Sequence, residues 1–236
     1  MAERRRVPIR IEEADAHYCT PEVRRRVLGA VPFFAGLAPD ELQKVDARCR
    51  AAAYQPDEAI YLAGFEADRL FVVATGVVKT TRMSRDGRET LVDVLGPGDF
   101  LGALPALGSE TYPDSAWALG PSCLLTLGVQ DFRRILDEFP SVARAALEAV
   151  SRRLADTQRA LHRSGATVEQ RVASVLLDLA GKLGEEWRDG ILVHAPLSRD
   201  DLAALTGARP ETVSRVLSDW RRRKLVDTGR RWIALL

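Results

Sequence analysis

The stretch Ser198–Lys224, SRDDLAALTGARPETVSRVLSDWRRRK, decides the fold of the C-terminal part of this chain. Ser198 followed by Asp201 predicts the start of a first helix, because side chains at this spacing can cap the free amides of a first turn. Gly207 supplies the residue on which that helix ends. Pro210 then begins a second helix, at a position where its missing N–H costs nothing.

The second helix has two different faces. Glu211, Ser214 and Arg215 share its outer face near the start and offer an acceptor, a hydroxyl and a bidentate donor. A helix-turn-helix needs such groups there to read base edges in a major groove. The apolar residues that recur at helical spacing and are predicted to pack inward are Val213, Val216, Leu217 and Trp220. The pattern predicts DNA binding through the outer face.

An exposed ion pair is the alternative explanation for part of this pattern. Glu211 and Arg215 are four residues apart, and Glu211 is favoured by the helix dipole. The preceding helix, the glycine turn and the basic run Arg221–Lys224 favour DNA instead. Bulk charge does not decide the matter: the whole chain has a net charge of +1, and Ala166–Leu236 has 12 Lys and Arg against 10 Asp and Glu. Any basic surface is therefore local.

Length and composition indicate a two-domain globular protein. The 236 residues are enough for two separate cores, and the hydrophobic fraction of 46% is ordinary. The three cysteines, Cys19, Cys49 and Cys123, have no regular spacing, which predicts a cytoplasmic protein without a disulfide framework. No apolar run is long enough to span a membrane, and no apolar region follows the Arg-rich start, so neither membrane insertion nor secretion is expected.

Four segments are predicted along the chain, and together they give an α+β fold. They are a flexible arm at 1–20, a sensor domain with flanking helices at 21–139, a long helix with a hinge at 140–164, and a winged helix-turn-helix at 165–236. Short runs of β-forming residues separated by glycine turns favour an antiparallel β-roll for the second segment. A hairpin over Leu225–Leu235 is predicted as the wing, with Arg230 at its tip.

The longest predicted helix is Pro140–Arg163. It carries apolar residues at the alternating spacing of three and four that is typical of a coiled-coil seam, and the residues assigned to a dimer interface are Leu147, Val150, Leu154 and Leu161. This face could instead pack on the protein's own β-domain. The neighbouring Ala143, Ala146 and Ala149 can cover that domain and leave the seam free, which favours a homodimer.

The order of β-roll, long helix and winged helix-turn-helix resembles the Crp/Fnr family of bacterial transcription regulators over nearly the whole chain. Gly98–Gly102 (GDFLG) resembles the family's GDF-hG element, and Pro113–Trp117 (PDSAW) falls where cyclic-AMP receptors have an Arg-Ser-Ala core. Glu211–Arg215 (ETVSR) resembles the ExxSR of the recognition helix and is the most specific of the three segments.

The resemblance implies a role for each matching position. The residues at base-reading positions are Glu211, Ser214 and Arg215, and those expected at DNA phosphates are Ser198, Arg209, Thr212 and, from the wing, Arg230. The serine at position 214 is FNR-like, which implies a palindromic operator with TTGA-like half-sites. RNA polymerase is an expected partner if the protein activates transcription.

The effector domain departs from the cyclic-AMP pattern. Ala103 stands where those receptors have a ribose-binding glutamate, and Asp114 replaces the arginine that neutralises the cyclic phosphate. A carboxylate at that place repels a phosphate, so the protein is not expected to depend on cyclic AMP. A regulator with an atypical nucleotide pocket, and one that senses nitric oxide through haem held near His17 and Cys19, remain as alternatives.

Other cofactors and enzymatic chemistry are not expected. An FNR-type iron–sulfur cluster needs four thiolates, and the chain has three cysteines, of which Cys123 is predicted to be a buried thiol in an apolar strand. A cupin-type metal enzyme needs inward histidines, and Ala51–Leu127 contains none. No metal site, cofactor or enzyme activity is therefore predicted.

Overall fold

The computed structural model describes residues 19–83, 89–102, 110–162, 165–229 and 231–236. Within these residues the chain forms seven α-helices and twelve β-strands, which confirms the α+β class. The helices are α1 (Pro21–Ala30), α2 (Pro39–Asp46), α3 (Val129–Glu138), α4 (Pro140–His162), α5 (Val168–Leu183), α6 (Arg199–Thr206) and α7 (Pro210–Arg222). The strands are β1 (Arg50–Tyr54), β2 (Ala59–Tyr61), β3 (Arg69–Thr75), β4 (Val78–Met83), β5 (Glu89–Leu95), β6 (Phe100–Gly102), β7 (Ser115–Ala118), β8 (Ser122–Gly128), β9 (Gly184–Trp187), β10 (Gly190–Val193), β11 (Val226–Gly229) and β12 (Trp232–Leu235).

The described strands form three four-stranded antiparallel sheets. Two of them, in the orders β1-β8-β3-β6 and β2-β7-β4-β5, build the predicted β-roll, and the third, β11-β12-β10-β9, carries the wing. The inner faces of the first two sheets share one core, to which Phe71 and Leu124 come from one sheet and Tyr61 and Leu95 from the other. Alternate residues of each strand point into this core, as antiparallel pleating requires.

The outer face of the first sheet is covered by helices α1 to α4. Leu70, Leu125 and Leu127 of the sheet share a core with Phe132 and Ile135 of α3. Helix α4 contributes its buried face, Val142, Ala146 and Ala149, to the same core. This arrangement fixes α4 along the roll.

The other face of α4 carries the apolar residues predicted as a dimer seam. The described members of this α4 seam, Leu147, Val150 and Leu154, have 64%, 38% and 59% of their surface exposed. The side chain of Leu161 lies outside the described residues. Ala143 does not cover the roll as expected, because Val142 takes the inward position and Ala143 is exposed.

The C-terminal unit rests on the outer face of the second sheet. Val77, Leu91 and Leu119 of the roll form one core with residues of the helix-turn-helix, among them Leu183 and Leu202. The roll and the C-terminal unit therefore share buried apolar surface.

A disulfide bond corrects the cysteine prediction. Cys19 and Cys123, 104 residues apart, are bonded to each other, so Cys123 is not the free buried thiol expected from its strand. Cys49 remains a free, buried cysteine. Residue spacing gave no sign of the bond, because it is the topology of the roll that brings the start of α1 beside β8. Cys19 and Thr20, the last residues of the predicted arm, are both tied to the fold, since Thr20 also caps α1.

Candidate nucleic-acid interface

The first helix of the predicted helix-turn-helix, α6, begins with a reciprocal cap. The Asp201 amide donates to Ser198 Oγ at 3.0 Å, and the Asp201 carboxylate accepts from the Ser198 amide at 2.9 Å and from its hydroxyl at 2.6 Å. The capping box predicted from the sequence is thus confirmed. Burial alone would raise the pKa of Asp201, but the hydrogen bonds from Ser198 and the nearby Lys79 ammonium outweigh it and lower that pKa.

The turn between α6 and α7 is fixed by its backbone. Gly207 ends α6 in the left-handed region (φ 59°, ψ 35°), which a residue with a Cβ adopts only with strain. Arg171 of α5 donates to the Thr206 carbonyl at 2.7 Å and to the Ala166 carbonyl at 2.6 Å, so it ties the end of α6 to the start of α5. Helix α7 then begins at Pro210, as predicted.

The inner face of α7 anchors it in the domain. Val213, Val216 and Leu217 are buried, whereas Trp220 is half-buried. These side chains share a core with Leu202 of α6. The predicted inward stripe is therefore confirmed, and it fixes which residues of α7 face outward.

The outer face of α7 presents the three predicted base-reading residues together. Glu211 and Arg215 are exposed and Ser214 is half-buried. In the described part of the chain, neither Glu211 nor Arg215 forms an ion pair or a hydrogen bond, with each other or with any other side chain. The exposed ion pair considered from the sequence is therefore absent there, and both charged groups are available to a ligand.

In the basic run at the end of α7, the arginines are paired with nearby carboxylates, unlike Arg215. Asp219 pairs with Arg222 at 3.0 Å and with Arg223 at 3.6 Å, and Arg221 lies 3.6 Å from Asp227. These internal pairs partly neutralise the run. Lys224 makes no ion pair in the described residues, so it keeps its full positive charge, as Arg209 and Arg215 do at the front of α7.

The predicted phosphate-binding residues differ in availability. Arg209, the residue before α7, is exposed and makes no described ion pair, whereas Thr212 is half-buried. Ser198 is half-buried and uses its hydroxyl in the cap of α6. Arg230 lies outside the described residues, but the hairpin that should carry it is formed by β11 and β12, with Gly229 paired to Trp232.

Two ion pairs between the roll and the C-terminal unit were not foreseen from the sequence. Lys79 of β4 lies 3.1 Å from Asp201 of α6, and Lys182 of α5 lies 3.0 Å from Asp93 of β5. A cleft of about 270 Å³ lies beside the first pair, and Ser198 is one of its lining residues. Sequence reasoning missed these contacts because each joins residues about 90 to 120 positions apart.

Inside the roll, Asp114 is held by a tyrosine. The Tyr61 hydroxyl donates to Asp114 Oδ1 at 2.9 Å and accepts from the Gly102 amide at 3.1 Å. Burial and the Asp114 carboxylate raise the pKa of Tyr61, so its phenol stays protonated. The Tyr61 ring also stacks on Tyr112, with centroids 4.1 Å apart, which fills the space between them.

Gly102 and Asp114, which belong to the two effector-domain segments singled out from the sequence, thus meet at one phenol. Gly102 has a φ of +94°, and a Cβ there would come within 3.0 Å of the Arg69 carbonyl oxygen. The backbone conformation and this close contact explain why the second glycine of the GDFLG element is a glycine. Ala103, the next residue, lies outside the described residues.

The described residues contain neither a metal-binding cluster nor a helix that could span a membrane. No group of three or more His, Cys, Asp or Glu side chains in them is arranged to hold a metal ion. Cys19, considered with His17 as a haem ligand, has its sulfur in the disulfide, and His17 lies outside the described residues. No helix in the same residues is long and apolar enough to cross a membrane.

Two family models match the chain in the order of its domains. Residues 52–139 match the cyclic nucleotide-binding domain, and residues 170–236 match the Crp-like helix-turn-helix domain. The chain is 32% identical over 187 residues to the cyclic AMP receptor protein of Thermus thermophilus, covering 79% of this chain and 83% of that protein. It is 27% identical over 198 residues to the CRP-like cAMP-activated global transcriptional regulator of Mycobacterium tuberculosis, covering 84% and 88%.

A solved structure shows the same architecture. FixK2 from Bradyrhizobium japonicum aligns with a TM-score of 0.71 and 25% identity, over 79% of this chain and 92% of that one. The likeness spans both the roll and the helix-turn-helix, so it concerns the arrangement of the whole chain. With its α7 anchored inward and its charged face open, the chain belongs to the Crp/Fnr family of DNA-binding transcription regulators.

Proposed function

We propose that the protein acts as a homodimer on a two-fold symmetric operator with TTGA-like half-sites, and that it does so without cyclic AMP. The observation that carries this proposal is the outer face of α7, where Glu211 and Arg215 are exposed and free of ion pairs beside Ser214. Side chains whose charges are not used inside the protein keep their full hydrogen-bonding capacity for a ligand.

The chemistry of that face suits a guanine-containing half-site. Arg215 can donate two parallel hydrogen bonds to guanine O6 and N7, and Glu211 can accept from a cytosine amino group. Ser214 can donate or accept and so tolerates either base type. Because all three lie within the first two turns of α7, they can contact adjacent base pairs when that end of the helix enters the major groove.

Phosphate contacts would set the register of this helix. Arg209 directly precedes α7 and is exposed, so it can reach a phosphate next to the bases that α7 reads. Thr212, Ser198 and, from the wing, Arg230 complete the proposed set. The Ser198 hydroxyl donates its only proton to Asp201, so it must give up that hydrogen bond to donate to a phosphate, and it contributes less to positioning than Arg209 does.

The α4 seam supports the dimer. Leu147, Val150 and Leu154 are exposed along one face, while a neighbouring face of α4 is buried in the roll. Fully burying an exposed Val or Leu side chain is worth about 1.5–3 kcal/mol. These three still expose 38–64% of their surface, so pairing the seam with that of a second copy recovers part of that energy for each. Leu161 extends the same spacing by two turns. A symmetric dimer would place its two recognition helices in successive major grooves, roughly 34 Å apart.

Independence from cyclic AMP is proposed although two relatives are named for that nucleotide. Asp114 falls where the resemblance to cyclic-AMP receptors implies an arginine, and its carboxylate is fixed by the Tyr61 hydroxyl. A cyclic phosphate would meet a negative charge there instead of a bidentate donor. Ala103 also lacks a group that could hold a ribose.

Selection of binding sites from random DNA tests the proposal. The full-length protein should enrich a palindrome with two TTGA-like half-sites, in the absence of any nucleotide. Enrichment of asymmetric or unrelated sequences would refute the assignment of α7. A requirement for added cyclic AMP would refute the effector part and leave the recognition helix intact.

A further inference from the structure

We propose that Cys19 and Cys123 form a reversible thiol–disulfide pair through which the redox state of the surroundings controls operator binding. The inference rests on the proposed function, since it concerns the regulation of that same DNA-binding activity. It starts from the one disulfide bond in the described residues, which joins Cys19 to Cys123.

The two cysteines lie at places where a bond has structural consequences. Cys19 directly precedes Thr20, the N-cap of α1, and is half-buried. Cys123 lies in β8, which is hydrogen-bonded on both sides within the first sheet, and its side chain is fully buried. The bond therefore fixes the start of a surface helix to the interior of the roll.

The same core connects this bond to the α4 seam. Cys123 is part of the apolar cluster that contains Val142, Ala146 and Ala149 of α4, and Cys19 packs against that cluster. These α4 residues lie on the face next to the seam. Because a close-packed core transmits small displacements, a change at Cys123 alters the support on which the seam rests. The seam in turn sets the distance between the two recognition helices of the proposed dimer.

Reduction would loosen this region without unfolding it. Arg24 of α1 donates to Asp46 Oδ1 at 2.7 Å and to the carbonyls of Asp46 and Cys49 at 2.9 and 3.0 Å. These bonds, together with the buried Val27 and Leu28, hold α1 on the roll when the disulfide is open. The pair thus has the property a switch needs, which is two folded states that differ locally.

The chemistry is thiol–disulfide exchange with a cellular dithiol. A thiolate of the dithiol attacks Cys19 Sγ, the more exposed sulfur, which forms a mixed disulfide and expels Cys123 as a thiolate that takes up a proton. The second thiol of the reductant then attacks the reductant's own sulfur in the mixed disulfide. This step releases Cys19 as a thiol, and the reductant leaves as a cyclic disulfide. Two electrons and two protons pass to the protein, and exchange with a disulfide of the same class reverses the step.

Cys49 is excluded as a participant by its position. It is buried, and burial together with the nearby Asp46 raises the pKa of its thiol to about 12, so it supplies almost no thiolate near neutral pH. It is also in the same core, which makes Cys49→Ala a matched control for the loss of a buried cysteine.

The experiment compares operator binding by oxidised and dithiothreitol-reduced full-length protein, with thiol alkylation and mass spectrometry reporting the state. We expect one alkylated thiol in the unfolded oxidised protein and three after reduction. The reduced form should bind the selected operator at least fivefold more weakly. Cys19→Ser and Cys123→Ala should each bind like the reduced form and ignore the reductant, whereas Cys49→Ala should respond as the parent does.

The outcomes separate the two proposals. Equal operator affinity of the oxidised and reduced forms overturns the switch and leaves the proposed function standing. A redox response that survives in Cys19→Ser also overturns it, because another group must then be responsible. If neither form binds any selected operator, the proposed function fails and the switch fails with it.

Discussion

Lys79 Nζ of strand β4 lies 3.1 Å from Asp201 Oδ1 of helix α6, so an ion pair joins the β-roll to the helix that precedes the recognition helix. Both side chains are largely buried, with 21% and 13% of their surface exposed. Asp201 also closes the cap of α6 through Ser198. The carboxylate that begins the helix-turn-helix is therefore the same one that holds it to the sensor domain.

Replacing Lys79 by Met should weaken the contact between the two domains. The change removes the charged donor from Asp201 and keeps most of the apolar stem, so the expected loss is about 1.5–3 kcal/mol, as for a hydrogen bond to a charged group. Urea unfolding of the full chain measures it. The helix-turn-helix should also become more open to hydrogen exchange where it touches the roll.

Lys182→Met is the matched control for this prediction. Its pair with Asp93 also joins the two domains, but the side chains are 42% and 29% exposed, and solvent weakens it. We expect a loss of no more than about 1 kcal/mol. Equal losses for the two variants would show that the Lys79 pair has no special part in docking the domains.

The acid sensitivity of the protein should depend on Asp201. Its pKa is lowered in the folded state, so it contributes stability that is fully present above its unfolded pKa of about 3.9 and is lost as the pH falls through the lower folded value. Asp201→Asn should therefore be less stable than the parent above about pH 5, and the difference should shrink below about pH 4. Urea titrations across that range measure it, and a constant difference would contradict the assignment.

Helix starts were the part of the fold that the sequence predicted best. Prolines at the first helical positions and the Ser198 cap are local signals, and α4 and α7 begin at the predicted Pro140 and Pro210. The apolar stripe of α7 was equally local, which is why its outer face could be identified before the structure.

Contacts between distant residues could not be predicted in this way. Strand β1, with the sequence RAAAY, has little intrinsic preference for a strand and exists because it pairs with β8 over five residues. The Cys19–Cys123 bond and the Lys79–Asp201 pair likewise depend on topology alone. Their partners are separated by about a hundred residues, and no local pattern marks them.

Cyclic AMP should neither bind in the roll at useful affinity nor alter DNA binding. The Asp114 carboxylate, held by Tyr61, opposes the phosphate, and Tyr61 and Tyr112 fill the adjacent core. Titration calorimetry at millimolar nucleotide should show no saturable heat, with an authentic cyclic-AMP receptor as positive control. Micromolar binding would mean that other residues of the roll build the pocket.

Leu154→Glu should convert the proposed dimer to monomer. Leu154 is 59% exposed in the α4 seam, so the change is harmless to a single chain but places a charge in the paired interface. Sedimentation velocity measures the result.

Leu177→Glu provides the comparison for the dimer test. Leu177 lies on α5, away from the seam, and is 65% exposed, so this variant should remain dimeric. A dimer that persists in Leu154→Glu would show that the α4 seam is not the interface.

Arg215→Ala should cost about 1–3 kcal/mol per half-site and relax the preference for guanine, because it removes the bidentate hydrogen bonds while the exposed position leaves the fold unchanged. Arg209→Ala is the informative comparison, since Arg209 is also exposed but is assigned to a phosphate. It should weaken binding to all sequences alike and reduce the slope of log K against log salt by about one for each phosphate that is no longer neutralised. Competition between the operator and a copy with the guanine replaced, measured for both variants at several salt concentrations, separates the two roles. If Arg215→Ala keeps its guanine preference, or if Arg209→Ala loses it, the orientation proposed for α7 in the groove is wrong.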